Sequence, residues 1–136
     1  LKSIILERKL ILDETGLKIV LEKDFIKYYK WLVESHTYKT IQLICPKHGA
    51  HITIVSSKLH KEFDRIKLSQ YNNQLVSFIY NPEDIRVGGN DFTNYWLPVL
   101  FPLGDQIKID LGIVESDFLG FHITIANNKN KARYNQ

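Results

Sequence analysis

A chain of 136 residues with 44% apolar composition is long enough to bury one core and too short to suggest two, so a single domain is expected over residues 1–136. Its apolar runs are short and broken by Lys, Asp, Glu or Asn, which excludes a membrane-spanning helix of roughly 20 residues. A formal charge of +3 favours anionic ligands but falls short of the polybasic surface that duplex DNA demands.

Residues 3–12 and 17–22 are β-like runs rich in Ile, Leu and Val, and Asp13-Glu14-Thr15-Gly16 between them has hairpin-turn chemistry. Asp24 can cap a helix through about residue 36, in which Phe25, Tyr28, Tyr29, Leu32 and Val33 form an apolar stripe at helical spacing. Those aromatics are expected mainly in the core. Residues 40–45 read as a further strand, turned by Pro46-Lys47-His48-Gly49 into a strand that begins at His51, so a second hairpin is predicted. Ser56 or Ser57 offers an N-cap to a short helix whose apolar face is Leu59, Phe63 and Ile66.

After a polar connection over 69–74, residues 75–80 read as strand, 81–84 as turn and 87–91 as loop. Residues 95–101 read as strand. Ile107, Ile109, Leu111 and Ile113 alternate with Lys108, Asp110 and Gly112, which predicts a half-buried strand. A last strand covers 121–127, and the polar, basic segment from 127 to 136 either stays disordered or closes over a ligand. The chain begins at Leu1 and contains no methionine, so native residues are expected to precede it. Its one cysteine, Cys45, suits a reducing compartment, and a cytoplasmic location is expected.

Within this pattern one string occurs twice: Gly49-Ala50-His51-Ile52-Thr53-Ile54 and Gly120-Phe121-His122-Ile123-Thr124-Ile125, identical at five positions of six. On a strand, side chains alternate between faces, so each copy buries its isoleucines and presents an imidazole beside a hydroxyl. Imidazole is the side chain that can take or give a proton near neutral pH, and a threonine hydroxyl can donate to an anionic oxygen. Side by side, two such strands supply a base, an acid and two hydroxyls, which is enough for in-line phosphodiester cleavage without a metal. Each half also runs from a β-like segment through a Gly-containing turn into its motif strand. That points to an α+β domain of two pseudo-symmetric lobes facing a shared cleft.

Other constellations carry less. Cys45, His48 and His51 form a C-x2-H-x2-H string, but strand-turn-strand spacing sends the side chains apart and no fourth ligand follows. No metal or other cofactor is expected. Cys45 reads as a small buried hydrophobe, and His36, His48 and His60 as structural. Val87-Gly88-Gly89-Asn90 lacks the Gly-Lys-Ser/Thr ending of a phosphate-binding loop, which argues against an NTPase.

Paired H-x-T motifs, each on a strand and one lobe apart, resemble the signature of the 2H phosphoesterases. The resemblance implies the LigT-like fold, with antiparallel β-sheets lining a central cleft and helices packed outside, and it implies His51, Thr53, His122 and Thr124 as catalytic residues. The motif histidines are 71 positions apart (122 − 51). In that compactness the chain is similar to the phage anti-CBASS nuclease type, which degrades cyclic di- and trinucleotide signals that activate an abortive-infection defence. The implied substrate is a cyclic oligonucleotide or a short RNA-like phosphodiester; neither membrane nor duplex DNA is an expected partner, and a phage origin would place the protein in the host cytoplasm. Alternatives are an enzyme of RNA metabolism acting on 2′,3′-cyclic phosphates or 2′-5′ linkages, and a module that sequesters nucleotides without turnover. Tyr95 and Trp96 are candidates for base stacking, with Tyr38, Tyr80 and Tyr134 behind them. Lys129 and Arg133 are candidates for phosphate contact, as are Lys47, Lys58 and Lys131.

Overall fold

The computed structural model describes residues 3–36, 43–46, 49–57, 65–113 and 120–128. The opening hairpin pairs β1 (Ile4–Asp13) with β2 (Gly16–Val20). Asp13 sets the turn: its Oδ1 accepts from the Thr15 backbone N–H at 2.8 Å and from the Thr15 hydroxyl at 2.6 Å. Helix α1 follows over Lys23–His36 and buries Ile26, Tyr29 and Val33. Tyr28 lies outside that stripe and is 54% exposed, because a period of 3.6 carries it round to the helix flank beside Trp31.

The remaining elements are β3 (His51–Ser56), α2 (Arg65–Ser69), β4 (Leu75–Tyr80), β5 (Arg86–Gly88), β6 (Asn94–Leu100), α3 (Pro102–Asp110) and β7 (His122–Asn127). Two expectations are corrected here. The alternating stretch from Ile107 falls in and just beyond helix α3, which starts on Pro102 and inserts Gly104 and Ile107 into the core while Ile109 is exposed. Apolar residues two apart suit a strand, but here the face three apart is the one that is covered. Of the predicted second hairpin, the described residues show another pairing: β3 pairs with β2, and Ile44 forms an isolated bridge with Asn127 of β7. Residues 40–42, 47–48 and 58–64, with Leu59 and Phe63 of the predicted short helix, lie outside the described residues; Ile66, its third apolar position, falls in α2 and is exposed, because that helix buries Leu68 instead.

All strand pairs are antiparallel, in the order β3-β2-β1-β4-β6-β5, with β7 on the other edge of β6. β1 and β4 run side by side at the centre, Ile4 opposite Tyr80 and Lys9 opposite Leu75. Outward from that axis the halves match: β1-β2-α1-β3 on one side and β4-β6-α3-β7 on the other. The helices cross over, α1 packing against β7 and α3 against β3. β3 at one end of the sheet and β7 on the outer edge of β6 come within 8 Å Cα to Cα, so the sheet curls into a nearly closed, barrel-like cleft. This is the α+β, two-lobed antiparallel architecture expected. Its core joins Leu10, Leu17 and Ile19 to Phe78, Leu97, Phe101 and the motif isoleucines.

Candidate active site

The two motif strands sit in the same register against their neighbours. On β2–β3, Leu17 faces Val55, Lys18 faces Thr53, Ile19 faces Ile52 and Val20 faces His51. On β6–β7, Tyr95 faces Ala126, Trp96 faces Thr124, Leu97 faces Ile123 and Pro98 faces His122. One backbone bond continues each ladder, Leu21 N–H to Ala50 O and Val99 N–H to Phe121 O, both 2.9 Å. Each motif strand also carries a bulge at the same place, so that Ile54 and Ile125 are the extra residues. The bulge restarts the alternation. Ile52, Ile54 and Val55 are buried, as are Ile123, Ile125 and Ala126, and the half-buried residues that follow, Ser56 and Asn127, return to the face of the histidine and threonine.

The glycine that opens each motif now has a physical role. Gly49 and Gly120 have φ of 75° and 65°, the left-handed region that disfavours other residues, and an added Cβ would meet nothing within 4 Å among the described residues. Space does not require glycine here; the backbone turn does. That turn aims the glycine carbonyl at the imidazole two residues on. His51 Nδ1 lies 3.1 Å from Gly49 O, and His122 Nδ1 lies 2.9 Å from Gly120 O. A carbonyl only accepts, so Nδ1 carries the hydrogen in both rings and Nε2 is the nitrogen with the lone pair. His51 and His122 are half-buried, Thr53 is exposed and Thr124 half-buried, all on the uncovered face of the curled sheet.

Lys18, which pattern reading passes over inside an apolar run, belongs to this face. Its Nζ is 2.8 Å from Asp13 Oδ2 and 3.2 Å from Thr15 Oγ1. The ammonium, followed by the Thr15 hydroxyl, holds the Asp13 carboxyl well below the usual carboxylate range. Lys18, His51, Thr53, Ser56 and Ser57 line a cavity of about 220 Å³. In the other lobe Trp96 is half-buried beside Thr124, with its ring over Gly88, and Arg86 stands opposite it on β5.

Several expectations do not reach this site. Tyr95 is buried on the opposite face from Trp96 and lines a separate apolar cavity of about 490 Å³ with Leu32, Val33 and Val87. Tyr80 is buried too, its hydroxyl 3.3 Å from that of Tyr29. Cys45 is exposed rather than buried: it follows Ile44, which bridges Asn127 of β7. His36 donates from Nδ1 to the Leu32 carbonyl at 2.8 Å, an intrahelical contact. Lys129, Arg133, Tyr38, Tyr134, Lys47, Lys58, Lys131, His48 and His60 lie outside the described residues. Among the described residues no group of three or more His, Cys, Asp or Glu is placed to hold a metal ion, and no helix is long and apolar enough to cross a membrane.

A curled antiparallel sheet that presents an imidazole and a hydroxyl from each of two matched strands defines a phosphoesterase of the paired-histidine class. The family described as Swiss Army Knife, 2H phosphoesterase domain, matches residues 18–132, and the chain belongs to it. Membership makes it a phosphoesterase hydrolase with a phosphodiesterase-type function. No curated protein and no solved structure matches the chain.

Proposed function

We propose that this chain is a metal-independent phosphodiesterase that cleaves the 3′-5′ bonds of cyclic di- and trinucleotides, signals of an abortive-infection defence. The observation that carries the reading is the matched pair of half-sites: two imidazoles held by the same glycine carbonyl contact, each with a threonine hydroxyl two residues on. The compact motif spacing favours the cyclic-oligonucleotide branch.

In the reaction, one imidazole Nε2 takes the proton of a ribose 2′-OH as its oxygen attacks the adjacent phosphorus in line. The other imidazole, entering protonated, gives its proton to the departing 5′-oxygen. The P–O5′ bond breaks, a 2′,3′-cyclic phosphate and a 5′-hydroxyl form, and each ring ends in the other's starting state. Thr53 and Thr124 donate to the non-bridging oxygens, where negative charge builds. One ring must be neutral and the other protonated, so the rate is bell-shaped in pH.

The test is incubation in excess EDTA with 3′,3′-cyclic dinucleotides, a cyclic trinucleotide, linear 2′-5′ oligoadenylate and a 2′,3′-cyclic nucleotide, with products resolved by chromatography and mass. The expected result is opening of the cyclic oligonucleotides, lowered on the order of 10²–10⁴-fold in His51→Ala and in His122→Ala and somewhat less in Thr53→Ala. Full turnover by either histidine variant would overturn the mechanism. Turnover of the other substrates alone would assign the chain to RNA metabolism, and binding without turnover to sequestration.

A further inference from the structure

The two half-sites match in register and differ in chemistry at the position opposite each motif threonine. Opposite Thr53 stands Lys18, and at the equivalent place opposite Thr124 stands Trp96. Identical half-sites would read a substrate equally in both directions. A cation on one side and an indole on the other break that equivalence.

On the Lys18 side, two of the three ammonium hydrogens are directed at Asp13 and Thr15, and the third has no partner among the described residues. The 220 Å³ cavity continues past Thr53 toward Ser56 and Ser57. Ser56 is three residues beyond Thr53, about 10 Å along a strand, and the bulge turns it to the same face. The cavity therefore extends beyond the hydroxyl assigned to the reacting phosphate, and the Lys18 ammonium at its wall is a donor that suits another phosphate. Asp13 orients the lysine and also tempers its charge.

On the Trp96 side the surroundings are those of a flat apolar ligand. The indole edge lies over Gly88, where a Cβ would stand only 3.1 Å from Cη2, so the ring rests against bare backbone. Arg86, directly opposite on β5, is held by Asp84 through two nitrogens at 2.9 and 3.1 Å. That pairing leaves the indole as the element there suited to a nucleobase, whose stacking is tolerant of base identity.

We propose that the cleft is polarised: Lys18 holds a second phosphate of the substrate, and Trp96 stacks a nucleobase on the other side of the scissile bond. This deepens the phosphodiesterase reading and rests on its placement of the reacting phosphate between the two motifs. The preferred substrate class is then an oligonucleotide with at least two phosphates rather than a mononucleoside cyclic phosphate.

The test uses 2′-deoxy dinucleotides, which lack the attacking hydroxyl and bind without being cleaved. Calorimetric titration of the full chain compares a dinucleotide with one phosphate, the same compound with an added terminal phosphate at either end, and an abasic analogue. In the unmodified protein a terminal phosphate at one end tightens Kd about tenfold, and loss of one base weakens it on the order of tenfold. The phosphate gain disappears in Lys18→Ala, survives in Lys18→Arg and grows in Asp13→Asn, which keeps the turn-forming side-chain oxygen. The base effect disappears in Trp96→Ala and survives in Trp96→Phe. A phosphate gain as large in Lys18→Ala as in the unmodified protein, or a base effect that ignores Trp96, overturns the proposal. Turnover of the ribose counterparts is measured alongside: turnover with unpolarised binding overturns this inference alone, polarised binding without turnover overturns the cleavage reading alone, and no binding overturns both.

Discussion

The glycine two positions ahead of each motif histidine governs the imidazole. Its left-handed backbone presents a carbonyl to Nδ1 at 3.1 Å in one lobe and 2.9 Å in the other, which fixes both the tautomer and the ring plane. In Gly49→Ala or Gly120→Ala the added methyl clashes with none of the described residues, so the cost is conformational, about 1–2 kcal/mol for a left-handed L-residue. If the backbone relaxes instead, the carbonyl leaves the ring, and kcat/KM is expected to fall on the order of tenfold, as when other orienting partners of a functional histidine are removed. Asparagine tolerates the left-handed region and should restore most of both losses. Thermal unfolding and initial rates of the Ala and Asn variants check this; equal activity in all of them would deny the carbonyl its role.

Two element contacts decide where the half-sites point. Gly16, at the start of β2, lies against the bulged end of β3, where a Cβ would stand 1.9 Å from Val55 O. Gly16→Ala must push β3 away or undo its bulge, which is expected to destabilise by about 1–3 kcal/mol and to move Ser56 off the cleft face. A urea midpoint unchanged from the unmodified chain would show that the bulge does not depend on this close approach. Helix α1 is tied to β4 by the buried Tyr29 and Tyr80 hydroxyls, 3.3 Å apart, and Phe25 packs on both rings. Burial, then the hydrogen bond with Tyr80, pushes the Tyr29 phenol well above its ordinary value. A raised phenol favours the folded state fully below the unfolded value of about 10, and that share is lost as pH climbs through the folded value. Tyr29→Phe should therefore cost about 1 kcal/mol at neutral pH and flatten the alkaline decline in stability, measured by denaturation from pH 8 to 12.

Taken as a whole, the molecule is two copies of a β-β-α-β unit that complete each other. β1 lies on β4 at the centre, and each helix covers the other unit's motif strand. Because α1 and α3 are exchanged, a fragment over 1–73 or 74–136 loses the helix that packs on its motif strand and the partner of its central strand edge. Each fragment is expected to be unfolded alone by circular dichroism, and an equimolar mixture to regain strand signal and a cooperative melt. Cooperative melting of a single fragment would show that the exchanged helices are dispensable. The crossing also explains why the half-sites come together: α1 packs on β7, α3 on β3, and the curl of the sheet brings the two strands within 8 Å.

What the sequence by itself determined is whatever a short window contains. The opening hairpin follows from its turn residues, α1 from its spacing, β4 and β6 from their apolar runs, and the candidate site from a string repeated with its glycine. Tertiary structure decided the rest, because it depends on partners far along the chain. Ile107 to Ile113 alternate well enough for a strand, yet the space beside Phe101 and Phe121 admits only a helix face with Gly104 against the rings. The partner of β3 is β2, whose paired residues lie 31 to 40 positions earlier (51 − 20 and 56 − 16), a pairing no short window contains. Lys18 and Trp96 acquire meaning only through that pairing: alternation tells which face a side chain takes, and register tells which neighbour it meets there.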